Sequence, residues 1–264
     1  RAPAMASSSA VFASRGEPLE VAQRRKFDAL LTKADVRAGD HLLEIGCGWG
    51  GFALHAARTR GCRVTGITIS EEQFALAVER VRAAGLQDRV DIQLRDYRDL
   101  RGQFSAIVSI EMLEAVGREH WPAFFGTCDK VLAPNGRIAL QVITVPDHRF
   151  ERYARTADWI QKYIFPGSLL GSIGGFIDAM REAGTTLTIR GVEDIAPHYA
   201  ETLKRWRAAF FARLEDVRRL GFDERFVRMW DFYLASCEAY FRTRTIGNLQ
   251  LVIGRAGEQE RLGA

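Results

Sequence analysis

The sequence predicts an α/β fold, a mostly parallel, Rossmann-like sheet of seven strands with helical cap insertions, and three observations carry that reading. First, Leu42-Leu43-Glu44-Ile45-Gly46-Cys47-Gly48-Trp49-Gly50-Gly51 runs an apolar segment and an acid into closely spaced glycines just before Phe52-Ala53-Leu54. That is the order of a buried strand, a glycine turn and a helix, where a ligand can approach bare backbone. Second, strand-like and helix-like segments alternate through the first half, the rhythm of a parallel sheet covered on both faces. Third, 264 residues at 47% hydrophobic supply one substantial core, or a core and a small cap.

Taken in order, Leu19, Val21-Ala22, Phe27 and Leu30-Leu31 repeat at helical spacing over 19–32, and the first strand follows at about 40–45. Further strands are predicted at Arg63–Ile67, Arg89–Leu94, Ser105–Ile110 and Arg137–Ile143, with helices from Ser70 and near Glu119–Leu132. Ser70 ahead of Glu71 and Glu72 supplies a cap and acids for the positive end of its helix. Beyond Ile143 the rhythm breaks. Residues 144–185 read as irregular and helical, Thr186–Val192 as a strand, 200–241 as two long helices and Asn248–Ile253 as the last strand. The simplest division is one domain over 1–264, with an N-terminal segment and helix at 1–35 and cap insertions at 144–185 and 199–241. Such insertions would form a lid over the crevice at the strand ends, where open α/β sheets place their sites. Ala6–Ala13 is small and polar enough to be mobile.

No window is apolar for long enough to span a bilayer, and Arg1-Ala2-Pro3-Ala4-Met5 lacks the apolar centre of a signal peptide, so a soluble, cytoplasmic protein is expected. The start at Arg1 rather than Met points to a trimmed or missing segment upstream. Cys47, Cys62, Cys128 and Cys237 show no paired spacing, which predicts free thiols, and the scattered histidines offer no zinc pattern, so no metal is expected. The net charge of +4 suits a protein that visits an anionic surface. Basic residues concentrate at Arg149–Arg155 and at Lys204-Arg205-Trp206-Arg207, Arg213 and Arg218-Arg219, beside Phe210-Phe211. They fit either a solvated helix face or a patch for a membrane surface or acidic partner. No motif supports nucleic-acid binding.

Dinucleotide enzymes also carry a glycine-rich first turn, of the form G-x-G-x-x-G. Here the order is E-x-G-x-G-x-G-G, with Glu44 on the strand before Gly46, Gly48 and Gly51, which fits a class I methyltransferase site for S-adenosylmethionine better. The end of the second strand, where an acid usually meets the ribose hydroxyls, carries Thr68, Ser70 and Gln73 instead.

Several islands match one family in order: Ser8–Phe12, Glu44–Gly51, Gly66–Gln73, Asp96-Tyr97-Arg98-Asp99, Ser109–Gly117, Trp159–Gly167, Pro197–Ala200 and Tyr233–Cys237. On these the chain resembles the cyclopropane-fatty-acid synthase and mycolic acid methyltransferase family, over almost its whole length. The resemblance implies an S-adenosylmethionine-dependent enzyme that alkylates double bonds in lipid acyl chains. It implies a T-x-S-x-x-Q cofactor variant at Thr68, Ser70 and Gln73, with Asp96, Tyr97 and Arg98 at the adenine, Ile110 touching it, and Ser7 and Ser8 over the methionine end. It also implies a bicarbonate base held by five groups. Glu114, Ile143 and Tyr233 match three of them, whereas Gln141 stands at the histidine position, Ser9 at the cysteine position and Ser7 at the tyrosine just ahead of it. Neither glutamine nor serine supplies the cationic character of an imidazolium, so an anion would be held less tightly. Expected partners are an unsaturated acyl phospholipid, peripheral contact with the inner membrane surface and a downstream reductase.

Methylating an isolated double bond creates a carbocation that water would trap, so the pocket must be dry and able to remove one proton. Trp159, Tyr163, Phe165, Tyr199 and Trp206 are candidate aromatic walls for that cation, or core residues. Glu111 stands three residues before Glu114, where cyclopropane synthases carry glycine. If both point inward, one has a raised pKa; on a solvated loop neither does. Tyr233 fits a cage role or the core. On the functional reading Glu114, helped by Tyr233 and Gln141, orders or acts as the base, and the altered cage changes which proton leaves. Loss from the transferred methyl closes a cyclopropane; a hydride shift before that loss leaves an exomethylene. Gly171 replaces a family proline in Phe165–Ser172, which predicts a looser turn. The same core would serve a soluble-substrate methyltransferase, or a cofactor-binding homologue that no longer catalyses.

Overall fold

Four residues of unbroken burial after a polar start make β1 (His41–Ile45) the centre of the molecule, with Leu42 and Leu43 pointing to opposite faces. The computed structural model describes residues 5–257; Arg1–Ala4, the larger part of the opening stretch read for a signal peptide, lie outside the described residues. A helix, α1 (Leu19–Lys33), precedes β1, and α2 (Gly51–Arg60), β2 (Arg63–Thr68), α3 (Glu71–Ala83), β3 (Val90–Leu94), β4 (Phe104–Ile110), α4 (Trp121–Val131) and β5 (Leu132–Thr144) follow. The cap segment holds α5 (Asp147–Ala154), α6 (Trp159–Tyr163) and α7 (Ile173–Glu182) before β6 (Leu187–Asp194). Three more helices, α8 (Ala196–Ala212), α9 (Leu214–Arg219) and α10 (Glu224–Arg242), lead into β7 (Gly247–Arg255).

The seven strands form one sheet in the order β3-β2-β1-β4-β5-β7-β6. Strands β1 to β5 pair in parallel, and β7 is antiparallel to both its neighbours. On one face α1, α2 and α3 pack Phe27, Leu30, Phe52 and Val81 against Leu42, Val64 and Val108. On the other, α4 and α7 bring Trp121, Phe124, Phe125 and Phe176 onto Leu43, Ile107, Leu140 and Leu251. Ser70 caps α3 by accepting the Gln73 N–H at 3.2 Å, with Glu71 and Glu72 in the first turn.

Three sequence expectations need correction. The 200–241 stretch is three helices, because Arg213 leaves helical geometry (φ −115°, ψ 23°) and Gly221 turns the chain (φ +91°) before Asp223 caps α10. Ala6–Ala13, expected to be mobile, is pinned by bonds to α1 and α8: Gln23 Nε2 and Lys26 Nζ donate to Ser8 at 2.9 and 2.6 Å, and the Ala10 N–H donates to Thr202 at 3.1 Å. His198 also accepts the Phe12 N–H through Nδ1 at 3.2 Å.

The turn at Gly171 is tight rather than loose. Its carbonyl accepts the Val145 N–H at 2.8 Å, and a Cβ there would meet the Phe176 ring at 2.2 Å. Gly171→Ala overpacks this contact and should lower stability by about 1–3 kcal/mol, read as a shift of the urea midpoint with an unchanged slope; an unshifted midpoint would show that Phe176 yields freely.

Candidate functional site

The strand–turn–helix sequence at β1 builds one end of a cavity of about 580 Å³ at the carboxyl ends of β1, β4 and β5. Gly46 and Gly48 have left-handed backbones (φ +83° and +51°), and a Cβ on Gly46 would strike Met112 at 2.6 Å. Gly46, Gly48, Gly51, Glu44, Ser7 and Ser8 all line this end. Glu44 is buried with no partner for Oε2, and burial raises its carboxyl well above the usual range, opposed by the Lys26 ammonium. Lys26 is itself fully buried, and burial pulls it down to about 8 against the attraction of Glu111 and Glu44.

The other predicted cofactor residues lie at the carboxyl ends of β2 and β3, off the cavity wall, except Ile110, which lines it. Thr68 Oγ1 donates to Gln73 Oε1 at 2.8 Å, and Ser70 donates to Glu72 at 2.9 Å. Arg98 clasps Asp96 through Nε and Nη2 at 3.0 and 2.7 Å, and Tyr97 packs edge-on against Phe124. Beside them Ile69 is 79% exposed, an apolar platform at a polar rim. This rim and the glycine turn together suit a nucleoside held outside and a charged tail held inside.

Glu111 and Glu114 follow β4 and enter different environments. Glu111 adopts a left-handed backbone (φ +49°), a conformation that favours glycine. Its Oε1 accepts the Ser9 N–H at 3.0 Å, Gln141 Nε2 at 2.8 Å and Asn248 Nδ2 at 2.7 Å, and its Oε2 accepts the Tyr199 hydroxyl at 2.7 Å. Glu114 Oε1 accepts the Ile143 N–H at 2.5 Å, and among the described residues its Oε2 has no hydrogen-bond partner. Removed from bulk solvent and facing Glu111, the Glu114 carboxyl is pushed up to about 8, burial being the larger cause. The pair is therefore inside the protein and not on a solvated loop.

Gln141 does not face the cavity. Its amide donates to Glu111 and, at 3.4 Å, to the Ser9 carbonyl, while its oxygen accepts Gln250 Nε2 at 2.9 Å. The Ser9 hydroxyl donates to the Ala10 carbonyl. Bicarbonate, implied by the resemblance, does not fit: Gln141 and Ser9, at two of its five expected contacts, are engaged with the protein, and the Glu111 carboxyl already takes the Gln141 amide and the Ser9 N–H. Tyr233 and Ile143 do line the cavity, and burial raises the Tyr233 hydroxyl. Among the predicted aromatic walls, Phe165 and Tyr199 line it, whereas Trp159 packs on Phe232 and Trp206 on Tyr199, and Tyr163 is exposed. Ile160, Ile164, Leu170, Leu203 and Phe241 complete an apolar channel that opens beside the exposed Phe165–Gly167.

The basic stretch of α8 and α9 is largely paired with its own acids, Arg205 with Glu201, Arg207 with Asp231, Arg213 with Asp216 and Arg218 with Glu215 and Glu224. That favours the solvated-face reading. Sequence reasoning missed Asn248 and Gln250, although polar residues alternating with Leu249 and Leu251 mark a strand with one polar stripe. It also passed over Lys26, which with Gln23 is buried on the inner face of α1. All four cysteines are free and buried, and the described residues contain no group suited to a metal and no helix long and apolar enough to cross a membrane.

Residues 1–251 match the family described as mycolic acid cyclopropane synthetase. The chain is 47% identical over 239 residues to tuberculostearic acid methyltransferase UfaA1 of Mycobacterium tuberculosis, covering 90% of this chain and 56% of that protein. It is 35% identical to the cyclopropane-fatty-acyl-phospholipid synthase of Escherichia coli, over 91% of this chain and 60% of that one. The chain thus spans less than two thirds of these relatives. The crystal structure of mycolic acid cyclopropane synthase CmaA1 complexed with SAH and CTAB superposes with a TM-score of 0.87 at 30% identity, covering 95% of this chain and 90% of that one.

A carboxyl whose native pKa lies above its unfolded one holds its proton in the fold and releases it on unfolding. The Glu114 contribution to stability should therefore fall as pH rises from about 4.5 to about 8 and be constant outside that window. Glu114→Gln cannot titrate and should make the slope in that window shallower in urea unfolding at stepped pH; an unaltered slope would place the titration elsewhere.

Proposed function

The chain belongs to the mycolic acid cyclopropane synthetase family, and from that premise we propose that it is an S-adenosylmethionine-dependent C-methyltransferase acting on the double bond of unsaturated fatty acyl chains carried on phospholipids. The observation that carries this reading is the cavity itself, which joins a glycine turn and a buried acid to an apolar channel with two carboxylates at the junction. A soluble polar substrate has no use for a channel walled by Ile160, Ile164, Leu170, Leu203 and Phe241.

S-adenosylmethionine, when bound, supplies an electrophilic methyl group, and the buried Glu44 carboxylate suits its ammonium. Everything else falls to the chain. Tyr199, Tyr233 and Phe165 present ring faces and edges to a substrate cation and exclude water from it. Glu111, held by its four donors, takes the place of an added bicarbonate. Glu114, with one oxygen unpartnered, receives the proton.

The methyl bonds to one alkene carbon and leaves the cation on its neighbour; a hydride shift moves the cation to the methyl-bearing carbon. Loss of a proton from the methyl to Glu114 then forms the exomethylene carbon–carbon double bond. A saturated branch would need a separate reductase. Tyr163, Phe165 and Phe232, exposed around the channel mouth, are suited to a peripheral contact with the inner membrane surface.

Vesicles of dioleoyl phosphatidylglycerol incubated with the protein and methyl-labelled S-adenosylmethionine test the reading. The extracted chains should gain one CH₂ as an exomethylene, with a rate that rises with pH towards about 8 and does not change on adding bicarbonate. Glu114→Gln should lower kcat by about 100-fold or more. Ring product alone would overturn the assigned outcome, and full turnover by Glu114→Gln the assigned base.

A further inference from the structure

The buried amine of Lys26 takes no part in moving the substrate's proton. It lies on the inner face of α1, wholly buried, and among the described residues its Nζ donates one hydrogen bond, to Ser8 Oγ at 2.6 Å. A buried ammonium is costly unless it is paired, and this one lies in the fields of two acids, Glu111 and Glu44. Methionine has a similar length and would fill the same space without that cost. What the amine adds is a charge and a donor just behind the cavity wall.

Ser8 carries that effect into the cavity. It lines the same end as Glu44, Gly46 and Gly48, whereas Lys26 itself stays off the wall. The Ser8 carbonyl accepts Gln23 Nε2 at 2.9 Å and the next N–H, of Ser9, donates to Glu111 at 3.0 Å, so the backbone bearing the hydroxyl is anchored on both sides. A serine hydroxyl has two lone pairs and one proton to give. Lys26 occupies one lone pair, and among the described residues the proton goes to no acceptor. With a cation on its lone pair the hydroxyl is oriented and polarised to donate, and an anion in the cavity is the acceptor it suits. Glu44, buried at the same end with Oε2 unpartnered, suits a cation. Side by side, the two fit a zwitterion, with its ammonium on Glu44 and its carboxylate on Ser8.

We propose that Lys26 is a positioning residue for the amino-acid tail of the cofactor: acting through Ser8, it aims a polarised hydroxyl at the tail's carboxylate and supplies the positive charge that compensates it. The proposal rests on the S-adenosylmethionine-dependent reading.

Calorimetric titration compares two ligands, S-adenosylhomocysteine, which carries the tail, and methylthioadenosine, which has the nucleoside and sulfur without it. At about pH 7 the amine is charged, since burial lowers Lys26 only to about 8. Lys26→Met should weaken S-adenosylhomocysteine by at least about tenfold, the worth of a charge-assisted hydrogen bond, and leave methylthioadenosine bound as in wild type. Lys26→Gln, which keeps a donor without the charge, should fall between. In Ser8→Ala the further change Lys26→Met should cost less than it does alone. Equal weakening of both ligands would make Lys26 a purely structural residue and overturn the proposal, as would a folded Lys26→Met with wild-type affinity for the tailed ligand, or full additivity with Ser8→Ala. Should Lys26→Met fail to fold, Ser8→Ala alone decides: it should lose affinity for S-adenosylhomocysteine only, and an unchanged affinity would overturn the proposal. Failure of the wild type to bind either ligand would instead overturn the cofactor reading.

Discussion

The carboxylate of Glu111 is the point to which four separate parts of the chain are tied. Ser9 comes from the N-terminal segment, Gln141 from β5, Asn248 from β7 and Tyr199 from α8, and each gives it a hydrogen bond of 3.0 Å or less. The left-handed backbone that aims this side chain costs about 1–2 kcal/mol in a non-glycine residue. Charge-assisted hydrogen bonds contribute about 1.5–3 kcal/mol each, so the arrangement is favourable once all the donors are in place. The ladder continues through Gln250, which bonds Gln141 and accepts Lys33 Nζ at 2.6 Å. A polar layer thus crosses the sheet beside the apolar channel.

That layer makes two carboxyls three residues apart chemically unlike. Glu111 is surrounded by donors, and Glu114 has one backbone donor and a bare oxygen. Their difference is set by neighbours, not by sequence position, and it separates a carboxyl held by four donors from one that burial pushes up to about 8. Lys26 balances this on the far side, between Glu44 at the glycine turn and Glu111 at the channel. Its bond to Ser8 also holds the N-terminal segment over the cavity.

The architecture was legible because strands and helices buried on one face leave period-two and helical patterns, and the glycine turn needs glycine where the backbone is left-handed. The first helix, all seven strands and the Ser70 cap could be placed from those signals. The site was legible in part. Glu114, Ile143, Tyr233 and the glycine-turn residues come together on one cavity, but the direction of Gln141 depends on Gln250 and Asn248, which arrive from over a hundred residues away. No local pattern encodes such a meeting. The mobility expected of Ala6–Ala13 failed for the same reason, since small polar residues look solvated until distant donors from α1 and acceptors from α8 are known.

The placement of β7 has a consequence for how the chain is made. This strand is inserted between β5 and β6, and it is the last element of the described residues, so during synthesis β5 keeps an open edge and β6 waits without a neighbour. Long-range pairing of this kind is slow, and unpaired edges invite association with other chains. Asn248 and Gln250 travel on the same strand, so closing the sheet and completing the polar layer are one event. A chain lacking β7 would therefore leave the edge of β5 open and the polar layer incomplete.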